Sequence, residues 1–423
     1  MLRQITDSLS LVLIINILQK LFSYGIFFVL AMILSHETYG LFETVFSVGT
    51  FGVLVFGLQA ESAFSRFYYI EKDNRDIQSS VFNVLLIYIF GTLLFFGVLK
   101  LKIFDLAFSN LSLYLSIFLI SNLLYGLILI HFRFESYLRK YLTFIIAEIM
   151  IFFALLYLFY FNFSLSQPYL LLLFSLPKLI LIFYQYFSSA DFNLPKFSYV
   201  RISKYVKYSI NIVPVVAISF GIILVTRLLV LNNFDAIQLS NYSMALRISM
   251  AYLFLNEVFR FMIDPIVIKK ERTENIDQLL SNIFNRYSKI LVLFNILMIF
   301  IFYILNYLFL ESKFENLSML VPFLFLSNFL NLIINYFVLL NNLSYKTYYN
   351  FISYFFGALS FIIMIFYLKS SMINILLSFV IFYLITLITI FYLSKKSYNL
   401  KYNFTNVFIS LLILTFFIYI SYV

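Results

Sequence analysis

Thirteen apolar stretches, each close to the length of a membrane-spanning helix, follow one another along this chain. A helix needs about 20 consecutive apolar residues to cross the hydrocarbon core of a bilayer. The stretches lie near 9–33, 41–64, 80–99, 111–131, 141–161, 168–187, 209–231, 243–264, 290–310, 317–340, 350–368, 372–394 and 404–422. The chain is 63% hydrophobic and 11% charged, and no polar segment between stretches is long enough for a soluble domain. The sequence therefore predicts an all-α, polytopic membrane protein.

The basic residues of the connecting segments predict an orientation in the membrane. Twenty Lys and Arg residues precede the first stretch or lie in every second loop, whereas the other loops contain four. Because Lys and Arg concentrate in cytoplasmic loops, this pattern places the N-terminus in the cytoplasm. Twelve spans return the chain to the cytoplasm, and 404–422 is either a thirteenth span or an interfacial segment.

A weak internal repeat divides the twelve spans into two groups of six. The segment 35–43 leads into the second stretch of the first half, and 232–247 leads into the corresponding stretch of the second half. Transporters are often built from such repeated halves, with the substrate site between them. We predict an N-terminal six-helix lobe at 1–190, a cytoplasmic amphipathic linker at 191–208, a C-terminal six-helix lobe at 209–394, and an extra apolar segment at 395–423.

The end of the predicted linker alternates basic and aromatic residues at helical spacing, as FSYVRISKYVKYS over 197–209. This pattern is typical of an amphipathic helix that lies on the anionic inner leaflet. The alternative is a plain solvated connection whose Lys and Arg side chains anchor the neighbouring spans.

Ionisable side chains inside the apolar stretches are the main functional signal. A charge at the centre of a membrane helix costs about 2.5–3.5 kcal/mol on insertion scales, so it usually faces the protein interior or pairs. Lys20 and Lys178 lie in mid-stretch, where they either line a water-filled cavity or pair with a buried acid, Glu43 or Glu148. Arg227 and Arg247 either line the same cavity or extend to the interface. Glu148 is the predicted ion-coupling carboxylate, because burial favours the neutral form of a carboxylic acid.

One stretch, 247–265, combines an apolar character with a cluster of charges. Glu257, Arg260 and Asp264 are spaced three and four residues apart, which places them on one face of a helix. The cluster either lines the water-filled cavity or forms an intrahelical charge network near the cytoplasmic end.

Several chemistries are missing from the sequence. We find no glycine-rich phosphate-binding loop, no zinc-type His and Glu spacing and no nucleophile elbow, and the chain contains no Cys. We therefore predict a protein that is not an enzyme and that needs no metal or cofactor. A nucleic-acid partner is not expected, although the net charge is +10, because the positive charge follows the loop alternation of a membrane protein.

Two segments resemble the Wzx-type O-antigen and polysaccharide flippases of the multidrug/oligosaccharidyl-lipid/polysaccharide exporter superfamily. They are 33–69 and 226–249, and the wider resemblance in segment layout covers about 1–394. The matching positions are Tyr39-Gly40, Gly57-Leu58, Arg66, Thr226-Arg227, Tyr242-Ser243 and Arg247. The second segment departs from the family pattern, because it lacks the acidic residue before Arg227 and has Ser240 where the family has Gly.

The resemblance implies a two-lobed bundle of twelve helices around a cationic cavity. Such proteins move an undecaprenyl-pyrophosphate-linked sugar unit from the inner to the outer leaflet by alternating access. Lys20, Lys178, Arg227 and Arg247 would then contact the substrate, and Glu148 would carry a coupling ion. The expected partners are the lipid-linked oligosaccharide, membrane lipids, and the polymerase and chain-length proteins of polysaccharide biosynthesis.

Two other functions remain open at this stage. A drug or small-molecule exporter of the same superfamily would have the same span layout with a different cavity. A membrane polysaccharide polymerase would carry catalytic residues in a large outer loop, and the predicted outer loops are short.

Overall fold

The computed structural model describes residues 19, 22, 24–68, 74–101, 106–134, 137–162, 165–188, 197–253, 255–256, 276–310, 313–344, 346–368, 371–396, 400 and 402–422. Helices account for nearly all of them. The first eight are α1 (Tyr24–Ile33), α2 (His36–Phe56), α3 (Ala60–Tyr68), α4 (Asn74–Lys100), α5 (Leu106–Asn110), α6 (Ser112–Phe134), α7 (Leu138–Asn162) and α8 (Gln167–Ser188). The remaining eight are α9 (Tyr199–Ser209), α10 (Val213–Asn233), α11 (Ala236–Ser249), α12 (Ile276–Leu305, continued by a π-helical turn, Asn306–Leu310), α13 (Leu317–Leu343), α14 (Thr347–Tyr367), α15 (Met372–Ser394) and α16 (Thr405–Tyr422).

The predicted all-α, polytopic architecture is confirmed. Ten helices within the described ranges are long and apolar enough to cross a membrane, and two further apolar helices, Tyr24–Ile33 and Thr405–Ser421, are shorter. Each of the thirteen apolar stretches overlaps a described helix, and parts of 9–33 and 243–264 lie outside the described residues. For 404–422 both alternatives, a thirteenth span and an interfacial segment, stay open.

The second apolar stretch, 41–64, is not the single helix that its composition predicts. Helix α2 ends at Phe56, and α3 begins at Ala60. Between them Leu58 and Gln59 have left-handed backbone angles, with φ of 51° and 49°. This conformation costs about 1–2 kcal/mol for each residue with a side chain. The chain therefore holds a sharp, energetically costly break where sequence alone predicts a continuous span.

The described helices form two compact units, and the first comprises Ile33–Leu224. Within this unit α6 packs against α2, α4, α7 and α8. Glycine allows close approach at one of these contacts, because a Cβ atom on Gly49 would lie 2.8 Å from Cδ1 of Phe118. The same Phe118 ring lies 5.1 Å from the ring of Phe46, which in turn lies 5.1 Å from Phe174. An aromatic core thus joins α2, α6 and α8.

The second unit comprises Tyr24–Met32 and Val225–Val423. Its central element is α13, which packs against α11, α14, α15 and α16 and is the most buried of the ten long apolar helices. Amides connect its end to its neighbours: Asn341 donates to Asn350 at 2.8 Å and accepts from Ser394 at 3.0 Å. Polar side chains of this kind join helices where neighbouring apolar surfaces provide little driving force. The predicted lobe boundaries at 190 and 209 stay a prediction.

Candidate functional site

Lys178 and Glu148 form an ion pair inside the first unit. The Nζ atom of Lys178, on α8, lies 3.6 Å from Oε1 of Glu148, on α7, and the two side chains are 14% and 16% exposed. Lys178 also donates hydrogen bonds to Oδ1 of Asn122, at 2.9 Å, and to the carbonyl of Phe174, at 3.3 Å. The structure therefore brings two predicted site residues together, and it selects Glu148 from the two acids that sequence analysis left open as partners.

The surroundings of this pair are largely apolar. Helices α6, α7 and α8 contribute a core that includes Tyr125, Phe144 and Leu181, and the Tyr125 hydroxyl donates to the Phe144 carbonyl at 3.2 Å. Low local polarity strengthens attraction between opposite charges and penalises either charge when it is left alone. The pair consequently neutralises the Lys178 charge within this core.

Arg227 lies on α10, in the second unit, and is fully buried at 0% exposure. The preceding residue, Thr226, accepts a hydrogen bond of 2.8 Å from the hydroxyl of Tyr242 on α11. This bond fixes α10 against α11 beside the guanidinium group. Burial removes the alternative in which Arg227 extends to water at the interface.

Arg247 lies on α11 and is partly buried. Its guanidinium carbon lies 3.5 Å from the ring centroid of Phe27 on α1, which is a close cation–π contact. Another hydrogen bond joins the same two regions, since the hydroxyl of Tyr24 donates to the carbonyl of Met250 at 2.8 Å. Arg247 is therefore held over an aromatic ring inside the second unit.

Sequence reasoning that considered only charged residues missed the amides. Asn122 completes the Lys178 site. Asn241, which precedes Tyr242 on α11, is 1% exposed, and neither polar atom of its side chain has a hydrogen-bond partner among the described residues. A buried amide without partners in an apolar helix is costly, which makes it a candidate ligand-binding group. An Asn residue inside an apolar stretch was the signal that could have identified Asn122, whereas Asn241 lies just before the stretch 243–264.

Glu61 sits just after the break between α2 and α3 and is the acid that sequence reasoning did not select. Its Oε1 atom packs so closely on α6 that a Cβ atom on Gly126 would lie 2.6 Å from it. Helix α3 lies beyond the His36–Phe56 span, and burial raises the pKa of Glu61 to about 7. The carboxyl group can therefore exchange a proton near neutral pH.

A separate cavity of about 450 Å³ opens in the first unit, between the start of α2 and the start of α8. Its lining includes Ser35, Thr38, Tyr160 and Gln167. None of its lining residues is ionisable near neutral pH, so it does not provide a charged site for an anion.

Several predicted positions lie outside the described residues. They are Lys20, Glu257, Arg260 and Asp264. Within the described part of the chain, no group of three or more His, Cys, Asp and Glu residues could hold a metal ion. The substrate-binding roles of Lys20, Lys178, Arg227 and Arg247, and the coupling role of Glu148, stay predictions.

The arrangement of helices is shared with solved transporters. The lipid II flippase MurJ, in an inward closed conformation, matches with a TM-score of 0.66 at 17% identity, covering 97% of this chain and 98% of MurJ. An inward-facing multidrug resistance MATE transporter of the MOP superfamily matches at 0.63 and 13% identity, covering 91% and 97%. The eukaryotic MATE transporter AtDTX14 matches at 0.55 and 12% identity, covering 96% and 98%.

This chain has the fold of these solved transporters. No protein-family model and no curated protein matches the sequence. The shared fold confirms the coarser part of the resemblance seen in the sequence, namely a multi-pass membrane protein with the helix arrangement of these solved proteins. The Wzx-type assignment and the sugar substrate stay predictions.

Proposed function

We propose that this protein is a flippase that carries an undecaprenyl-pyrophosphate-linked oligosaccharide from the inner to the outer leaflet by alternating access. The observation that carries the proposal is the fully buried Arg227 in an apolar helix of a MOP-type fold. Placing a guanidinium group there is expensive, and such residues usually mark the path of a substrate or an ion.

The chemistry of the second unit suits an anionic group. Neither α10 nor α11 contains an Asp or Glu residue, although each carries an arginine, Arg227 and Arg247. Guanidinium groups bind phosphate oxygens through paired hydrogen bonds and retain their charge when buried. The buried amide of Asn241 adds an uncharged donor and acceptor to the same helix pair. These groups together favour a pyrophosphate over a cationic drug.

In this proposal the protein lies in the bacterial inner membrane with its N-terminus in the cytoplasm. The solved proteins with this fold include MATE transporters as well as the lipid II flippase, so a drug or small-molecule exporter is the second candidate. The observation that favours the second candidate is the Lys178–Glu148 pair, which neutralises the predicted cation of the first unit. Polymerase and chain-length proteins are the proposed partners of the flippase.

The proposal can be tested with purified protein in liposomes. The substrate is undecaprenyl-pyrophosphate with a fluorescent sugar, and an impermeant quencher reports how much of it remains in the outer leaflet. We expect the wild type to move this lipid and Arg227→Gln to lose at least tenfold in rate. Lys289→Gln, at an exposed lysine on α12, is the matched control and should transport normally.

Three outcomes would contradict the flippase proposal. The first is movement of a fluorescent cationic dye without movement of the lipid-linked sugar, which would favour a drug exporter. The second is equal transport by the wild type and Arg227→Gln. The third outcome concerns native cells that lack the gene. Normal translocation of single sugar repeats in these cells, without formation of polymer, would favour a polymerase.

A further inference from the structure

Helix α9, in the segment that leads from α8 to α10, is attached at both ends to the first unit. At its start, the backbone N–H of Ser198 donates to Oδ1 of Asn83, on α4, at 3.1 Å. At its end, the Ser209 hydroxyl donates to the carbonyl of Gln59 at 3.2 Å. Gln59 is one of the two left-handed residues in the break between α2 and α3. Through this hydrogen bond, helix α9 holds the backbone carbonyl of Gln59 at the break.

Ring contacts strengthen this attachment in the middle of the helix. Tyr205 is buried and stacks on Phe67 of α3, with ring centroids 5.5 Å apart and ring planes 11° apart. The Nζ atom of Lys204 lies 4.0 Å from the centroid of the same Phe67 ring. One face of α9 thus holds α3, the short helix that carries Glu61.

The other face of α9 is exposed and combines apolar and basic groups. Phe197, Tyr199 and Val200 are 63%, 73% and 75% exposed, and Lys207 is exposed as well. The segment 197–211 contains three basic residues and no acidic residue. Apolar side chains beside cations are the pattern of helices that lie in the interface of an anionic leaflet.

We propose that the exposed face of α9 is a docking surface for the headgroups of anionic phospholipids, and that docking stabilises the break between α2 and α3. Charge complementarity favours this occupant, because the segment 197–211 carries cations and no acidic residue, and its exposed apolar side chains suit the acyl boundary. Lys204 links the two faces, since its ammonium group lies on the ring that α9 uses to hold α3. The inference goes beyond the proposed function, because it applies whatever the protein transports.

The test uses the full-length protein in lipid nanodiscs and hydrogen–deuterium exchange measured on peptides that cover 60–68 and 199–209. One set of nanodiscs contains phosphatidylcholine only, and the other contains phosphatidylcholine mixed with phosphatidylglycerol. We expect phosphatidylglycerol to slow exchange in both peptides of the wild type. Lys207→Glu should lose this slowing, because it reverses an exposed charge without touching the contacts to α3.

The matched control is Lys289→Glu, which reverses an exposed lysine on α12 and should behave as the wild type. The proposal is overturned if phosphatidylglycerol leaves the wild type unchanged, if Lys207→Glu keeps the full effect, or if Lys289→Glu loses it equally. It is also overturned if inorganic phosphate added to phosphatidylcholine nanodiscs slows exchange as much, because the site would then bind a free anion. Failure of the flippase proposal would leave all these outcomes unaffected.

Discussion

Removing one partner of the Lys178–Glu148 pair should destabilise the protein at least as much as removing both. The perturbation is Lys178→Met, which keeps most of the side-chain volume and removes the charge. Glu148 would then remain partly buried without its cation, and Asn122 would lose the hydrogen bond of 2.9 Å from Nζ. Glu148→Gln and the double variant Lys178→Met with Glu148→Gln complete a double-mutant cycle.

The structure sets the expected magnitude. At the observed separation of 3.6 Å, two unit charges attract by about 5 kcal/mol when the effective dielectric constant is about 20. Desolvation offsets part of this attraction, and losing one partner of a buried pair typically costs about 3–5 kcal/mol. The two side chains are 14% and 16% exposed to solvent, which favours the lower end of that range. We expect each single variant to lower the free energy of unfolding by about 3 kcal/mol and the double variant to lower it by no more than that. The coupling energy between the two side chains is then about 3 kcal/mol.

The assay must suit a chain without Cys or Trp, which excludes thiol-reactive dyes and tryptophan fluorescence. Unfolding by sodium dodecyl sulfate in mixed micelles, followed by far-UV circular dichroism, gives the free energy of each variant. If the two single variants are additive in the double variant, Lys178 and Glu148 do not stabilise each other. That result would refute the stabilising role assigned to the ion pair in the first unit.

Three further predictions follow from individual side chains. Lys20→Ala and Lys178→Ala should abolish transport while the protein still inserts, as judged by liposome transport and membrane fractionation; full activity in both would contradict a cationic substrate path. Arg247→Ala should lose about 1–2 kcal/mol of stability in the same micelle titration, because it removes the cation–π contact with Phe27, whereas Arg247→Lys should keep part of it. Glu61 should react with a hydrophobic carbodiimide below about pH 7 and become unreactive above it, because burial raises its pKa to about 7 and only the protonated acid reacts. Peptide mass spectrometry measures this profile, and a midpoint near that of an ordinary exposed carboxyl group would contradict it.

The helical architecture was predictable because the bilayer imposes one simple requirement on sequence. A span of about 20 apolar residues satisfies it, and each of the thirteen stretches overlaps a described helix. The break at 57–59 was not predictable on this basis. It contains no proline, and Leu58 and Gln59 are residues that rarely adopt left-handed angles. Tertiary contacts stabilise the break, including the Ser209 hydrogen bond from a helix 150 residues away in sequence.

The candidate site was predictable in residue type and only partly in arrangement. Mid-stretch position indicated that Lys178 either lines a cavity or pairs with a buried acid, and the structure pairs it with Glu148. No pattern in the sequence predicts that Arg247 lies over Phe27, because 220 positions separate them and only the fold brings them together. Asn122 escaped attention because an uncharged amide costs less than a charge in an apolar stretch and stands out less, and Asn241 lies outside the apolar stretches.

The two units differ in the acidic residues on the helices that carry their buried cations, and this difference bears on the proposed binding of an anion. In the first unit, Lys178 is matched by Glu148 at 3.6 Å, so an anionic substrate would have to compete with a carboxylate already in place. In the second unit, Arg227 and Arg247 lie on helices that contain no acidic residue. Under the proposed flippase function, a pyrophosphate group would meet no carboxylate on those two helices. Charge-neutralising variants at Arg227 should accordingly impair substrate binding more than the paired removal of Lys178 and Glu148.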